Sequence, residues 1–229
     1  MQLHSIRGGN NEDLYNKKYT IGVGISLGNK WFTVENIVEL VKWSLLYTKD
    51  NVIVYVADSI HAINLEVRNR ISSEKASIKA DKMGDDILEN TKKELLKTLS
   101  FEEFKKIKFV KWNQLVDQSY NLKLNFLNEF YENNTLFKDQ ILSIIKNTIK
   151  KEKRKFTEQE IHRFASYLIA ETPELLNRVD MDGSPCDAYA YPFNGEFVAL
   201  IEKIQKGEIY SQIKEQIMDT APKVFLEVR

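Results

Sequence analysis

Hydrophobic and polar positions switch between two periods along this chain. Residues 19–26 form an apolar run punctuated by Gly22 and Gly24, which predicts a strand ending at Ser26. Glycine weakens a strand, so its presence there implies that a ligand or another backbone comes close. Next, Ile37, Val38, Leu40, Val41, Trp43 and Leu45 interleave with Asn36, Glu39, Lys42 and Tyr47, the spacing of an amphipathic helix. The β-branched run 51–57 (NVIVYVA), ending at Asp58, reads as a strand buried on both faces. Strand, helix and strand in this order make a βαβ unit and imply a parallel sheet.

Further along, residues 72–98 carry a long lysine-rich helical pattern, with Gly84 as an expected interruption, and 107–111 (IKFVK) form a third strand. Helices are expected over 115–137 and 139–149, broken at Asn133-Asn134. Thr157 followed by Glu160 is a capping box that opens a helix running through Leu176. Pro192 forbids helix nearby, so 186–193 (CDAYAYPF) reads as extended. A helix over 196–205 and a last strand over 223–228 complete the pattern. Residues 1–18 are polar, contain Gly8-Gly9-Asn10-Asn11, and are expected to be a loose leader before one domain at 19–229.

Composition changes this picture little. The 229 residues are 43% hydrophobic, enough for one sizeable core. Lys+Arg and Asp+Glu balance at 33 each, so overall charge selects no polyanion partner. Locally, lysines gather at 75, 79, 82, 92, 93 and 97, and again in Lys150, Lys151, Lys153, Arg154 and Lys155. The single cysteine, Cys186, excludes a disulfide framework and suits a reducing compartment. No apolar run approaches the about 18 residues of a membrane span, and no signal core is present. A soluble, cytoplasmic protein is expected.

Three places could carry chemistry. Ser26 ends the first strand within Gly24-Ile25-Ser26-Leu27-Gly28, which matches by spelling the elbow of serine hydrolases. Of His4, His61 and His162, only the last lies far enough downstream to serve as its base. Ser26 could equally cap the following helix. Tyr167 and Glu171, four residues apart, project from one helical face, where a phenol and a carboxylate can hold an ammonium or shuttle a proton. Tyr191, before Pro192, is the third candidate and could equally be core packing. The lysine runs can track a phosphate backbone or can be solvated faces. Lys82-Met83-Gly84 spells part of a synthetase signature loop but sits in a helical pattern before two aspartates, which excludes that role.

Three blocks, GISLGNKWF (24–32) with the VIVYVAD strand, YLIAETP (167–173) and AYAYPF (188–193), resemble the tRNA-dependent cyclodipeptide synthases in content and spacing. The resemblance implies a Rossmann-like parallel sheet with helices on both faces, similar to the tyrosyl and tryptophanyl (class Ic) aminoacyl-tRNA synthetase catalytic domain. No HIGH-type, KMSKS-type or P-loop motif is present, as suits an enzyme whose substrates arrive already activated on tRNA. No cofactor and no metal are implied.

Carried over by position, Ser26 attacks the ester of a first aminoacyl-tRNA. Glu171 and Tyr167 hold its α-ammonium. A second aminoacyl-tRNA supplies its amine to give a dipeptidyl-enzyme, and Tyr191 relays a proton as a 2,5-diketopiperazine closes. Gly22, Gly24, Val54 and Tyr189 map onto the first aminoacyl pocket, where Tyr189 would favour a small residue. Tyr191-Pro192 matches the proline-type subfamily, and Asn29 and Pro192 join the substrate-binding positions. Lys75, Lys79, Lys82, Lys92, Lys93 and Lys97 become candidate tRNA contacts, and a monomer is the family expectation. A serine esterase and a non-catalytic tRNA-binding domain are the alternatives.

Overall fold

The computed structural model describes residues 1–229 apart from 151, 182 and 219. In chain order the elements are β1 (Leu3–Arg7), α1 (Asn11–Tyr15), β2 (Ile21–Ile25), α2 (Val34–Tyr47), β3 (Val52–Val56), α3 (Asp58–Asn69), α4 (Ser73–Thr98) and α5 (Phe101–Phe104). Then follow β4 (Ile107–Lys111), α6 (Gln118–Asn133), α7 (Thr135–Ile149), α8 (Glu158–Leu176), β5 (Val179–Asp180), β6 (Pro185–Cys186), β7 (Ala188–Tyr191), α9 (Glu196–Lys206), α10 (Ser211–Ile217) and β8 (Val224–Val228).

Among the described residues six strands form one sheet in the order β1-β8-β7-β2-β3-β4. All neighbours are parallel except β1, which runs antiparallel to β8. The strands β2, β3 and β4 build outward in one direction, whereas β7 and β8 add on the other side of β2. The order therefore reverses between β2 and β7. In open α/β sheets that reversal leaves a crevice at the carboxyl ends of the strands, where ligands bind.

The two faces of the sheet have different fillings. Ile21, Val23, Ile25, Val52, Val54 and Val56 pack one face against Ile37, Leu40 and Val41 of α2 and Leu88 and Leu95 of α4. Gly22, Gly24, Ile53 and Tyr55 take the alternate positions, and the other face is covered by aromatic residues and by α8. α2 opens with Thr33 accepting from the Asn36 amide, and α8 opens with the expected Thr157–Glu160 capping box.

Several expectations need correction. The leader is structured: Leu3–Arg7 pairs with β8, Asn10 caps α1, and Leu14 is fully buried. LHSIR is short and mostly polar, and its hydrogen-bond ladder comes entirely from the edge of β8, so local sequence carries little signal. Gly84 does not interrupt α4. It lies buried where a Cβ would stand 2.7 Å from Cβ of Asp58, so it admits the first turn of α3 instead. The helix α3 went unassigned in the pattern, since its mean hydropathy is slightly polar and no side chain caps its start. Within 115–137 the helix starts only at Gln118, and Asn134 ends α6 while capping α7. No helix is long and apolar enough to cross a membrane.

Candidate active site

Ser26 leaves the carboxyl end of β2 in a tight turn. The Asn29 amide donates to the Ser26 carbonyl at 3.3 Å, and Gly28 takes φ +81°, the left-handed third position of a type II turn. The turn is fastened further by the Trp31 amide, which donates to Asn29 Oδ1 at 3.0 Å. Because α2 starts only at Val34 with its own Thr33 cap, Ser26 caps no helix. Its hydroxyl is left to face a cavity of about 310 Å³ at the sheet crevice.

α8 forms the opposite wall. Tyr167 Oη donates to Glu171 Oε1 at 2.7 Å, as their four-residue spacing allows. Burial raises the Glu171 carboxyl to about 8, and the Glu174 charge adds to this while the Tyr167 hydrogen bond opposes it. The Tyr167 phenol is pushed well above 10, by burial first and then by Glu171, against a hydrogen bond from Ser26 that lowers it. Tyr191 is raised by burial and by Glu171, and is held down by hydrogen bonds with Asn29 and Ser26. One hydroxyl therefore shares the cavity with two phenols, one of which is bonded to a carboxyl of raised pKa. Ser26, Asn29, Tyr167, Glu171, Tyr189 and Tyr191 all line the same cavity.

The remaining candidates separate. Gly24 lines the cavity and lies under Tyr189: a Cβ there would stand 2.2 Å from the ring. Tyr189 stacks on Tyr191 with centroids 5.3 Å apart. Gly22 does not reach the cavity, and its missing side chain makes room for Cys186 Sγ. Val54 faces away, fully buried beside α2, so its assignment to the pocket is corrected: register places Tyr55 opposite Gly24, and Tyr55 lines the cavity. A shift of one residue along a strand exchanges the faces. Pro192 is buried but is not part of the cavity wall.

Glu174 and Trp112 of the cavity wall, and Lys223 behind it, escaped the sequence pattern. Glu174 lines the cavity and is 2% exposed. Its Oε1 accepts from Tyr55 Oη at 3.1 Å and pairs with the ammonium of Lys223, which is fully buried. Trp112 closes the same side. The spacing 167, 171, 174 on one helix was a legible signal for Glu174; nothing in the sequence pointed to Trp112 or Lys223.

The histidines do not complete a hydrolase. His162 shares a hydrogen bond with Tyr131 Oη at 2.8 Å in a separate groove, and His61 is buried with its pKa lowered to about 4, chiefly by desolvation. Neither lines the Ser26 cavity.

Along α4, Lys75, Lys79, Lys82, Lys93 and Lys97 are exposed, whereas Lys92 lies half-buried with its ammonium 4.8 Å from the Phe109 ring centroid. Lys93 and Lys97 pair with Glu89 at 3.5 Å and Glu94 at 2.8 Å. In the second basic run Lys151 lies outside the described residues. Arg154 donates to the carbonyls of Val67 and Arg68 at 3.1 and 2.6 Å, fastening the end of α3.

Comparison with known proteins places the fold and the family. No curated protein sequence matches the chain. A solved cyclodipeptide synthase from Bacillus thermoamylovorans is similar with a TM-score of 0.72 at 21% identity, covering 95% of this chain and 91% of that one. One from Candidatus Glomeribacter gigasporarum, bound to Phe-tRNAPhe, gives a TM-score of 0.53 at 18% identity over 92% of this chain and 88% of that one. The tyrosyl-tRNA synthetase of Archaeoglobus fulgidus, complexed with L-tyrosine, gives 0.57 at 14% identity, covering 99% of this chain and 60% of that one. These likenesses show a common Rossmann-like fold. The family profile described as Cyclodipeptide synthase matches residues 8–216, and the chain therefore belongs to the cyclodipeptide synthase family, tRNA-dependent aminoacyltransferases that make cyclodipeptides.

Proposed function

We propose that this chain joins two aminoacyl groups delivered on tRNA into a 2,5-diketopiperazine, by a ping-pong route through acylated Ser26. The observation that carries the reading is one cavity lined by Ser26, Tyr167, Tyr191 and Glu171, with Glu171 bonded to Tyr167 and raised to about 8. An ester to tRNA is already activated, so a serine without a histidine suffices as nucleophile. Ser26 Oγ attacks the ester carbonyl, the bond to the ribose oxygen breaks, and the serine proton passes to that oxygen as the tRNA leaves.

Atom balance fixes the second step. For the dipeptide to remain on Ser26, the amine of the bound aminoacyl group must attack the ester carbonyl of the second aminoacyl-tRNA, breaking its bond to the ribose oxygen, which leaves with a proton from the amine. An incoming amine attacking the serine ester would instead free Ser26 and leave the dipeptide on tRNA. This reverses the roles expected from the resemblance. The bound ammonium must then lose a proton, and a carboxyl with pKa about 8 is matched to an α-amine near 8 for that exchange. In the last step the free amine of the dipeptide closes on the serine ester, and Tyr191 returns a proton to Ser26 Oγ. Holding both ends in one cavity supplies the proximity that ring closure needs.

Tyr55, Tyr189 and Trp112 crowd the cavity around Gly24, which favours a small first residue. Tyr191-Pro192 supports the proline-type branch of the family, whereas Asn29, three residues after Ser26, matches the pattern of the other branch. Incubation with a pool of charged tRNAs tests the reading by mass spectrometry. A cyclic dipeptide containing a small residue is expected. Hydrolysed amino acids alone would indicate an esterase, bound but unconsumed tRNA a sequestering domain, and rings built only from Phe or Leu would refute the small pocket.

A further inference from the structure

Ser26 and Asn29 line a second cavity besides the catalytic one. It measures about 270 Å³ and lies on the other face of the sheet end, between the Ser26 turn and α4. Ile25 borders both as well; beyond these shared residues the catalytic cavity is walled by Tyr55, Tyr167 and Glu171, and this one by Met83, Asp86, Ile87 and Asn90 of α4. Ser26 thus stands on the ridge between two hollows. An aminoacyl ester has two halves as well: the acyl group with its amine, and the terminal ribose and base that leave. Glu171 fixes the amine in the first hollow, so the leaving nucleoside extends to the other side of the carbonyl.

We propose that the second cavity is the subsite for the terminal adenosine of aminoacyl-tRNA; this rests on the function proposed above. Phe32, Met83 and Ile87 give it an apolar wall of the kind on which a base packs. Asp86 and Asn90, exposed one turn apart on α4, point polar groups at it and make no hydrogen bond or ion pair within the chain among the described residues. A carboxylate beside a ribose accepts from its hydroxyls, a recurring way of reading that sugar. Cations flank the hollow along the same helix face: Lys79 and Lys82 stand one turn before Met83 and Asp86, and Lys93 one turn beyond Asn90. Phosphates on the 5′ side of the terminal residue would meet them, while the uncharged nucleoside occupies the gap. The lysines spaced along α4 thereby acquire a register relative to Ser26.

The test compares acylation of Ser26 by three donors carrying one amino acid: aminoacyl-tRNA, 3′-O-aminoacyl-adenosine and the aminoacyl dinitrobenzyl ester. The native chain should prefer the adenosine ester to the simple ester. In Asp86→Ala/Asn90→Ala, both exposed positions, that preference should fall about tenfold, the scale of one base contact. Ile87→Trp, which fills the hollow, should remove it and weaken competition by free adenosine. An unchanged preference, or an equal loss with both esters, overturns the subsite. So does normal acylation followed by loss of peptide bond formation, which would assign the hollow to the second aminoacyl group. Failure of the native chain to acylate Ser26 with any donor overturns the proposed function, and the subsite with it.

Discussion

Glu171 shows how a buried side chain couples chemistry to stability. Its carboxyl sits at about 8 in the folded chain against an ordinary value of 4.5, with burial as the main cause. Between those two values the folded chain holds a proton that the unfolded chain has lost. Stability therefore falls as pH rises through that window and levels off above about 8. Glu171→Gln removes the titration. Thermal and denaturant unfolding should find this variant more stable than the native chain at pH 8.5, on the order of a few kcal/mol, with the gap closing near pH 4.5. The same variant should lose at least about a hundredfold in product formation, the range for removing a positioned acid or base. A native chain whose stability rises between pH 5 and 8, relative to the variant, would contradict the burial of that carboxyl.

At the scale of elements, strand register decides which residues meet substrate. Val54 and Tyr55 are adjacent, yet one faces α2 and the other faces the cavity. Val54→Ala should cost about 2 kcal/mol in unfolding free energy from lost burial and leave the amino acids in the product unchanged. Tyr55→Phe should barely alter the core but should change which amino acid is accepted, because it removes a donor from Glu174. The reverse pattern would show that the β2–β3 register is misplaced.

Much of this scale was legible in sequence. Buried runs and a capping box announced β2, β3 and α8, and the spacing of Tyr167 and Glu171 announced one wall of the site. What stayed hidden depends on partners distant in sequence. β1 exists by pairing with β8, Gly84 is explained only by Asp58, and the Glu174–Lys223 pair joins residues from α8 and the start of β8. The facing of Val54 was lost because a continuous apolar run carries no period from which to read its faces.

Across the whole molecule, balanced net charge conceals a lysine-bearing face on α4. Lys75, Lys79 and Lys82 form no ion pair among the described residues, while Lys93 and Lys97 are partly offset by glutamates. Reversing Lys79 and Lys82 to glutamate should raise KM for aminoacyl-tRNA about tenfold or more and flatten its dependence on salt. Fewer phosphate contacts release fewer counterions. Unchanged kinetics and salt slope would mark these lysines as a solvated surface. The crevice between β2 and β7 then joins the two scales: the sheet's reversal brings Ser26 and Tyr191 together, and α4 runs past on the other side of Ser26 with its cations. The most direct test is intact-mass and peptide mass spectrometry of the native chain mixed with one charged tRNA. A mass increase of one aminoacyl residue on the peptide containing Ser26, absent from Ser26→Ala, is expected. Cyclic dipeptide made by Ser26→Ala at the native rate would contradict the account.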